Sequence, residues 1–198
     1  MQQEHNKASA WFDDLYKNNK TTQENIPWAK QATNPLLQTY LDDNVEHKGT
    51  ALVIGCGLGD DAIALEIAGY EVTAIDVSQT ALDLAQERFT DTNIKFIKQD
   101  IFEYKEVFDF VFEALTIQSL PLEFRDKMIK AVANTVDVGG KLLLVAHKRE
   151  EIFSGPPWPL SKEEIDSFKN HGLHEVSHEL HTEKSKISNT RFRVLYSR

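Results

Sequence analysis

The chain has 198 residues, with 22 Lys plus Arg against 31 Asp plus Glu, a formal charge of −9. That length suits a single domain spanning 1–198, able to bury roughly 70% of its unfolded surface without staples. The acid excess argues against nucleic-acid or anionic-membrane partners, which need basic surface, and the lone Cys56 excludes an internal disulfide or a cysteine-built zinc site. Met1 to Lys20 is polar with no apolar core, so no secretory signal is expected. The longest clean apolar run, Leu142 to Ala146, is too short to span a bilayer. A cytoplasmic protein, monomer or homodimer, is the expectation.

In chain order, residues 1–49 are polar and read as helical pieces broken at Pro27 and Pro35, forming a cover. From Thr50 short apolar runs alternate with amphipathic stretches. Strands are predicted at Ala51–Ile54, Glu71–Ile75, Ile94–Ile97, Phe108–Phe112 and Lys141–Ala146. The near-continuous apolar character of several suits a parallel sheet covered on both faces. Ser78 is placed to N-cap a helix whose apolar face is Ala81, Leu82, Ala85 and Phe89. Pro121 suits a first helical turn, followed by Met128, Ile129, Val132 and Ala133 at helical spacing, and Gly139-Gly140 turns the chain into the leucine-rich strand. A helix over Ser161–Lys169 precedes two strands, Leu173–His181 and Ile187–Tyr196, with no crossover helix between them. That pair is therefore antiparallel. The alternation as a whole predicts a doubly wound α/β fold with a mainly parallel sheet.

The most informative segment is Ala51 to Asp61, where a buried strand runs into Gly55, Gly57 and Gly59 before a helix. Glycine is needed where the backbone turns tightly and a ligand approaches it closely, and this turn lies where open α/β sheets place ligands. Asp60 stands where a dinucleotide fingerprint has its third glycine. A carboxylate there repels a pyrophosphate but tolerates a sulfonium or ammonium. Asp76 ends the next strand and is placed to accept the two hydroxyl protons of a ribose. Asp100, followed by Ile101 and Phe102, suits the amino edge and face of an adenine, and Glu113 ends the fourth strand. Singly each acid would be a solvated strand end; together with the glycine turn they outline a nucleoside site.

This order of features resembles the Rossmann-like S-adenosylmethionine-dependent methyltransferases, over about Thr50 to Arg198. Within them it is similar to the thiopurine/thiol/halide branch and related small bacterial enzymes. The narrower match rests on Trp11, Tyr16 and Pro27-Trp28 ahead of a helix near Asn34-Pro35, on Gly55 to Asp61 preceded by apolar Val53, and on Ser154-Gly-Pro-Pro-Trp-Pro-Leu-Ser161. Two departures stand out: the Trp11–Trp28 spacing is longer than in the plant enzymes, and Leu15 and Tyr16 occupy the region of a further tryptophan.

The resemblance implies a seven-stranded sheet with an antiparallel C-terminal pair, an N-terminal helical lid, S-adenosylmethionine as cofactor and S-adenosylhomocysteine as product. It implies cofactor contacts from Trp11, Trp28, Gly55, Cys56, Gly57, Gly59, Asp61, Asp76, Val77, Asp100, Ile101, Phe102 and Glu113. Tyr16, Arg125 and Trp158 fall on the acceptor side, Arg125 either drawing an anionic acceptor or forming a surface ion pair. The acceptor is expected to be a small soft nucleophile such as a thiol, a halide or a metalloid oxyanion, reached by in-line displacement. Another small O- or N-acceptor, or cofactor binding without catalysis, is the alternative. A soft anion needs no protein base, and His147 at the end of the fifth strand is the one base candidate. Cys56 reads as a packing residue, having no basic partner nearby in sequence. His171, His174, His178 and His181 lack a metal-ligand motif, so no metal is expected.

Overall fold

The computed structural model describes residues 11–20, 22, 26, 31–44, 49–149, 155–183 and 189–198. Seven strands stand in the order β3-β2-β1-β4-β5-β7-β6, and the chain packs as two compact units, Met1–Glu103 and Tyr104–Arg198.

The first unit holds helix α1 (residues 11–18), α2 (Pro35–Asp43), β1 (Thr50–Ile54), α3 (Asp60–Ile67), β2 (Glu71–Asp76), α4 (Gln79–Arg88) and β3 (Lys95–Lys98). Its strands are parallel, with Val53 opposite Ala74 and Ala74 opposite Phe96. β1 and β2 are buried over almost their whole length, as the apolar runs predict. β3 differs: Lys95, Ile97 and Lys98 are exposed, because it ends the strand order and carries edge lysines. α2 begins as its sequence dictates, with the Asn34 side chain accepting from the Leu36 amide and Pro35 in the first turn. Ser78 caps α4 by accepting from the Ala81 amide. α1 buries Tyr16 in a cluster with Ile26, Leu58, Ala81 and Leu84, and Leu15 packs against it.

The second unit holds β4 (Phe108–Ala114), α5 (Arg125–Ala133), β5 (Val136–His147), α6 (Lys162–Asp166), β6 (His174–Glu183) and β7 (Asn189–Ser197). β4 and β5 are parallel, while β7 runs antiparallel to both β5 and β6, so the C-terminal pair has the predicted sense. Three details depart from expectation. Pro121 precedes a single 3-10 turn, Leu122–Phe124, and the α-helix itself starts at Arg125. The predicted Ser161–Lys169 helix is one α-helical turn with a Ser161–Glu164 capping box, tightened into a 3-10 helix over Ser167–His171. Gly139 and Gly140 lie inside β5 instead of leading into it. The Gly139 amide donates to the Arg198 carbonyl and the Arg198 amide to the Gly140 carbonyl, so pairing with the C-terminus extends the strand back past the glycines. Glycine is required there because a Cβ at position 140 would lie 2.8 Å from the Phe108 carbonyl oxygen. Among the described residues no helix is long and apolar enough to cross a membrane.

The Phe108 backbone cannot retreat without loosening β4, so Gly140→Ala is expected to cost about 1–3 kcal/mol. Urea denaturation of the variant measures this; an unchanged midpoint would show that the contact relaxes freely.

Candidate functional site

In the first unit the chain leaves β1 through three residues with left-handed backbone, Gly55 (φ 65°), Gly57 (φ 52°) and Gly59 (φ 84°). The turn is stitched to the end of β2. The Cys56 amide donates to the Ile75 carbonyl at 3.0 Å, and the Gly57 amide donates to Asp76 Oδ2 at 2.9 Å. The other oxygen of Asp76 accepts from the Ser78 amide at 2.8 Å. Asp76 is buried, and burial pushes its carboxyl above the ordinary range, opposed by the amides of Ser78, Gly57 and Val77. Gly59 is small for packing reasons as well as backbone ones, since a Cβ there would meet Ala85 at 3.2 Å and the Phe96 ring at 3.3 Å. Cys56 is buried, and its thiol is pushed well up by desolvation and by the Asp76 charge. It is therefore a protonated packing group, not a nucleophile.

The acids around this turn divide by partner. Asp60 makes a two-pronged ion pair with Arg88, at 2.6 and 2.9 Å, and Arg88 also donates to the Leu58 carbonyl at 2.7 Å. The charge expected to repel a pyrophosphate is thus compensated within the protein, a partner 28 positions away that no local motif announces. Asp61 accepts the Asn34 amide at 2.7 Å, ahead of α2, and burial raises it to about 6. Asp100 accepts the Phe102 amide at 3.0 Å, at the head of the 3-10 turn Ile101–Glu103. The Gln99 amide donates to the Asp76 carbonyl at 3.0 Å, which brings the Asp100-Ile101-Phe102 turn beside the end of β2. Val77 is partly exposed at that strand end.

The N-terminal residues split. Trp11 lies on the surface, stacked on Phe12 with ring centroids 4.0 Å apart. Tyr16 is buried, its hydroxyl close enough to Gly57 that a Cβ there would be 2.8 Å from it; the structure places it against the glycine turn. Trp28 lies outside the described residues.

The second unit gathers Glu113, Arg125, His147 and Trp158 at the C-terminal ends of β4 and β5. Glu113 is fully buried, and Oε1 accepts from the Thr116 and Ile117 amides at 2.7 and 2.9 Å. Those amides fold back onto it because Leu115 adopts left-handed backbone (φ 66°). Oε2 has no hydrogen-bond partner, and desolvation lifts the carboxyl to about 7 against those amides and the Arg125 charge. Arg125 is buried rather than a surface ion pair. It donates from Nη2 to the Trp158 carbonyl at 2.7 Å and lies 3.6 Å from Glu164. Its Nη1 has no hydrogen-bond partner. Glu164 also receives Arg149 at 3.0 Å, so one carboxylate serves two guanidiniums. The Trp158 ring presses on Gly155, where a Cβ would fall 2.6 Å from the indole Nε1. The backbone of His147 donates to Gln118 Oε1 at 2.8 Å and accepts from Leu160 at 2.9 Å.

Two residues escaped the sequence reading. Gln118 is buried and joins the end of β5 to the Pro-rich segment, its own carbonyl accepting the Trp158 amide at 2.7 Å. Its segment, Leu115-Thr-Ile-Gln-Ser-Leu120, mixes polar and apolar residues, so nothing local singles Gln118 out. Asp13 accepts the Ser78 hydroxyl at 2.8 Å and the Thr80 amide at 3.1 Å, and nothing in its own segment marks it.

The family model for thiopurine S-methyltransferase (TPMT) matches residues 14–193. Thiocyanate methyltransferase 1 of Arabidopsis thaliana is 26% identical over 176 residues, covering 83% of this chain and 78% of that protein. Thiopurine S-methyltransferase of Legionella pneumophila (strain Paris) is 26% identical over 182 residues, covering 81% and 80%. Magnesium protoporphyrin IX methyltransferase from Synechocystis, solved with bound SAH, superposes with a TM-score of 0.74 at 17% identity, covering 96% of this chain and 99% of that one.

A carboxyl raised to about 7 keeps its proton in the folded state over a range where the unfolded chain, near 4.5, has lost it. Its favourable contribution is therefore complete below about pH 4.5 and lost as pH rises through 7. Glu113→Gln keeps an acceptor for the two amides but cannot ionise. Relative to wild type it is expected to gain up to about 3 kcal/mol between pH 5 and pH 8. Denaturation curves at both pH values test this, and a constant difference would rule out the buried ionisation.

Proposed function

The chain belongs to the thiopurine S-methyltransferase family, and from that premise we propose that it methylates a small, soft, sulfur-type nucleophile at the expense of S-adenosylmethionine. Membership makes it an S-adenosylmethionine-dependent methyltransferase. Curated relatives are named for thiocyanate, thiol and thiopurine acceptors, which supports the soft-nucleophile class for this chain.

The observation that carries the cofactor placement is the bridged pair of turns, Gly57 and Ser78 on the two oxygens of Asp76. Three left-handed glycines bare the backbone for close approach. The two Asp76 oxygens together accept about four donors, and the amides of Gly57, Ser78 and Val77 do not use all of that capacity, which leaves room for a ribose hydroxyl. A buried carboxylate raised by desolvation gains from such donors, so the residues present fit the nucleoside. Asp100, Ile101 and Phe102 are assigned to the adenine. When bound, S-adenosylmethionine supplies an electrophilic methyl group on a sulfonium.

The chain's own part is to position, and to exclude water. A desolvated thiolate or similar anion loses more hydration than the charge-dispersed transition state needs, so a dry pocket favours attack. Holding the reacting atoms in line converts entropy into rate, on the order of 7–11 kcal/mol in the best intramolecular cases. Arg125, with Nη1 unpaired, and Trp158, pinned through its carbonyl to Arg125, are assigned to the acceptor. An acceptor that ionises near neutrality needs no base, and His147 is given none of that work.

Purified protein with methyl-labelled S-adenosylmethionine, offered thiols, thiocyanate, iodide, thiopurines, amines and catechols, tests the acceptor class. Label on the sulfur and halide acceptors is the expected result; transfer to amines or hydroxyls alone would overturn it. Calorimetry with S-adenosylhomocysteine tests the placement. Asp76→Ala is expected to weaken binding roughly tenfold or more, because both turns lose their tie and the ribose its acceptor.

A further inference from the structure

The two turns that Asp76 bridges are held a second time, from helix α1. Asp13 Oδ1 accepts the Ser78 hydroxyl at 2.8 Å and the Thr80 amide at 3.1 Å. Ser78 in turn accepts the Ala81 amide and donates its own amide to Asp76. A continuous relay therefore runs Asp13–Ser78–Asp76–Gly57. Asp13 sits at the amino end of α4, where the helix dipole favours a negative charge, and Lys17 neutralises its other oxygen at 2.6 Å.

Tyr16 follows Asp13 by three positions, on the same side of the helix. It packs with Leu58, Ala81 and Leu84 and lies against Gly57. One helical face thus engages both loops: Asp13 the turn after β2, Tyr16 the turn after β1.

We infer that Asp13 is a positioning residue of the cofactor site: through Ser78 it sets the turn that orients the Asp76 carboxylate, making α1 part of the binding apparatus rather than a passive cover. This rests on the reading that Asp76 receives the ribose. With Asp13 removed, the Ser78 hydroxyl and the Thr80 amide lose their common acceptor, and the Asp76 side chain keeps its amides on a looser turn. The consequence falls on cofactor affinity, not on the chemical step.

The experiment compares wild type, Asp13→Ala, Asp13→Asn, Ser78→Ala and the Asp13→Ala/Ser78→Ala pair. It reads affinity for S-adenosylhomocysteine by calorimetry, KM for S-adenosylmethionine, kcat at saturation and melting temperature. Asp13→Ala is expected to raise Kd and KM roughly tenfold while kcat at saturation stays within about threefold. Asp13→Asn, whose carbonyl oxygen can accept the same two bonds, restores most of the affinity. In the Ser78→Ala background the Asp13 effect shrinks, as residues in one network require. If Asp13→Ala does not fold, Asp13→Glu, which keeps the charge but misplaces the oxygens, is expected to lose affinity in the same way. A folded Asp13→Ala or Asp13→Glu with wild-type affinity, or a fall in kcat with KM unchanged, overturns the inference. Wild type that binds no S-adenosylhomocysteine overturns the cofactor reading beneath it, and a loss in Asp76→Ala without one in the Asp13 variants sinks this inference alone.

Discussion

The Asp76 carboxylate accepts one amide from the turn after β1 and another from the turn after β2, at 2.9 and 2.8 Å. The arrangement of the loops at the ends of β1 and β2 depends on that bridge. Left-handed backbone at Gly55, Gly57 and Gly59 allows the first turn, but three glycines also leave it conformationally loose. The carboxylate restores definition by giving the loop a fixed acceptor. Its burial cost is only partly offset by the amides it receives, a balance that further donors would improve.

Around that bridge the structure uses carboxylates as fasteners across long stretches of chain. Asp61 holds the entry to α2, Asp60 holds Arg88, and Asp13 holds the start of α4. In the second unit Glu113 gathers its own turn, while Glu164 receives both Arg125 and Arg149. The net charge of −9 thus includes acids with structural partners inside the fold, beside those that only solvate the surface.

Where local chemistry dominates, sequence and structure coincide. Asn34-Pro35 and Ser78 start their helices as predicted, because a cap is settled within three residues. β1 and β2 follow their apolar runs, and the terminal pair is antiparallel because no crossover intervenes. Boundaries drift where neighbours decide: β5 extends back to Val136 through pairing of Gly139 and Gly140 with Arg198, and β3 is exposed because it lies at an edge. Arg125 is the sharpest case. Its sequence position left open an acceptor-side charge or a surface ion pair, and it is buried against Trp158, 33 residues on.

The sequence by itself determined the α/β alternation, the glycine turn with its acid one strand later, and the family resemblance. All of these are periodic or short-range patterns. Only the tertiary structure decided which carboxylates are committed to internal partners. Asp60, Asp61 and Asp13 find theirs 28, 27 and 65 positions away. A side-chain hydrogen bond of that span leaves no trace in spacing or composition, since it exists only once the strands have set both ends in place.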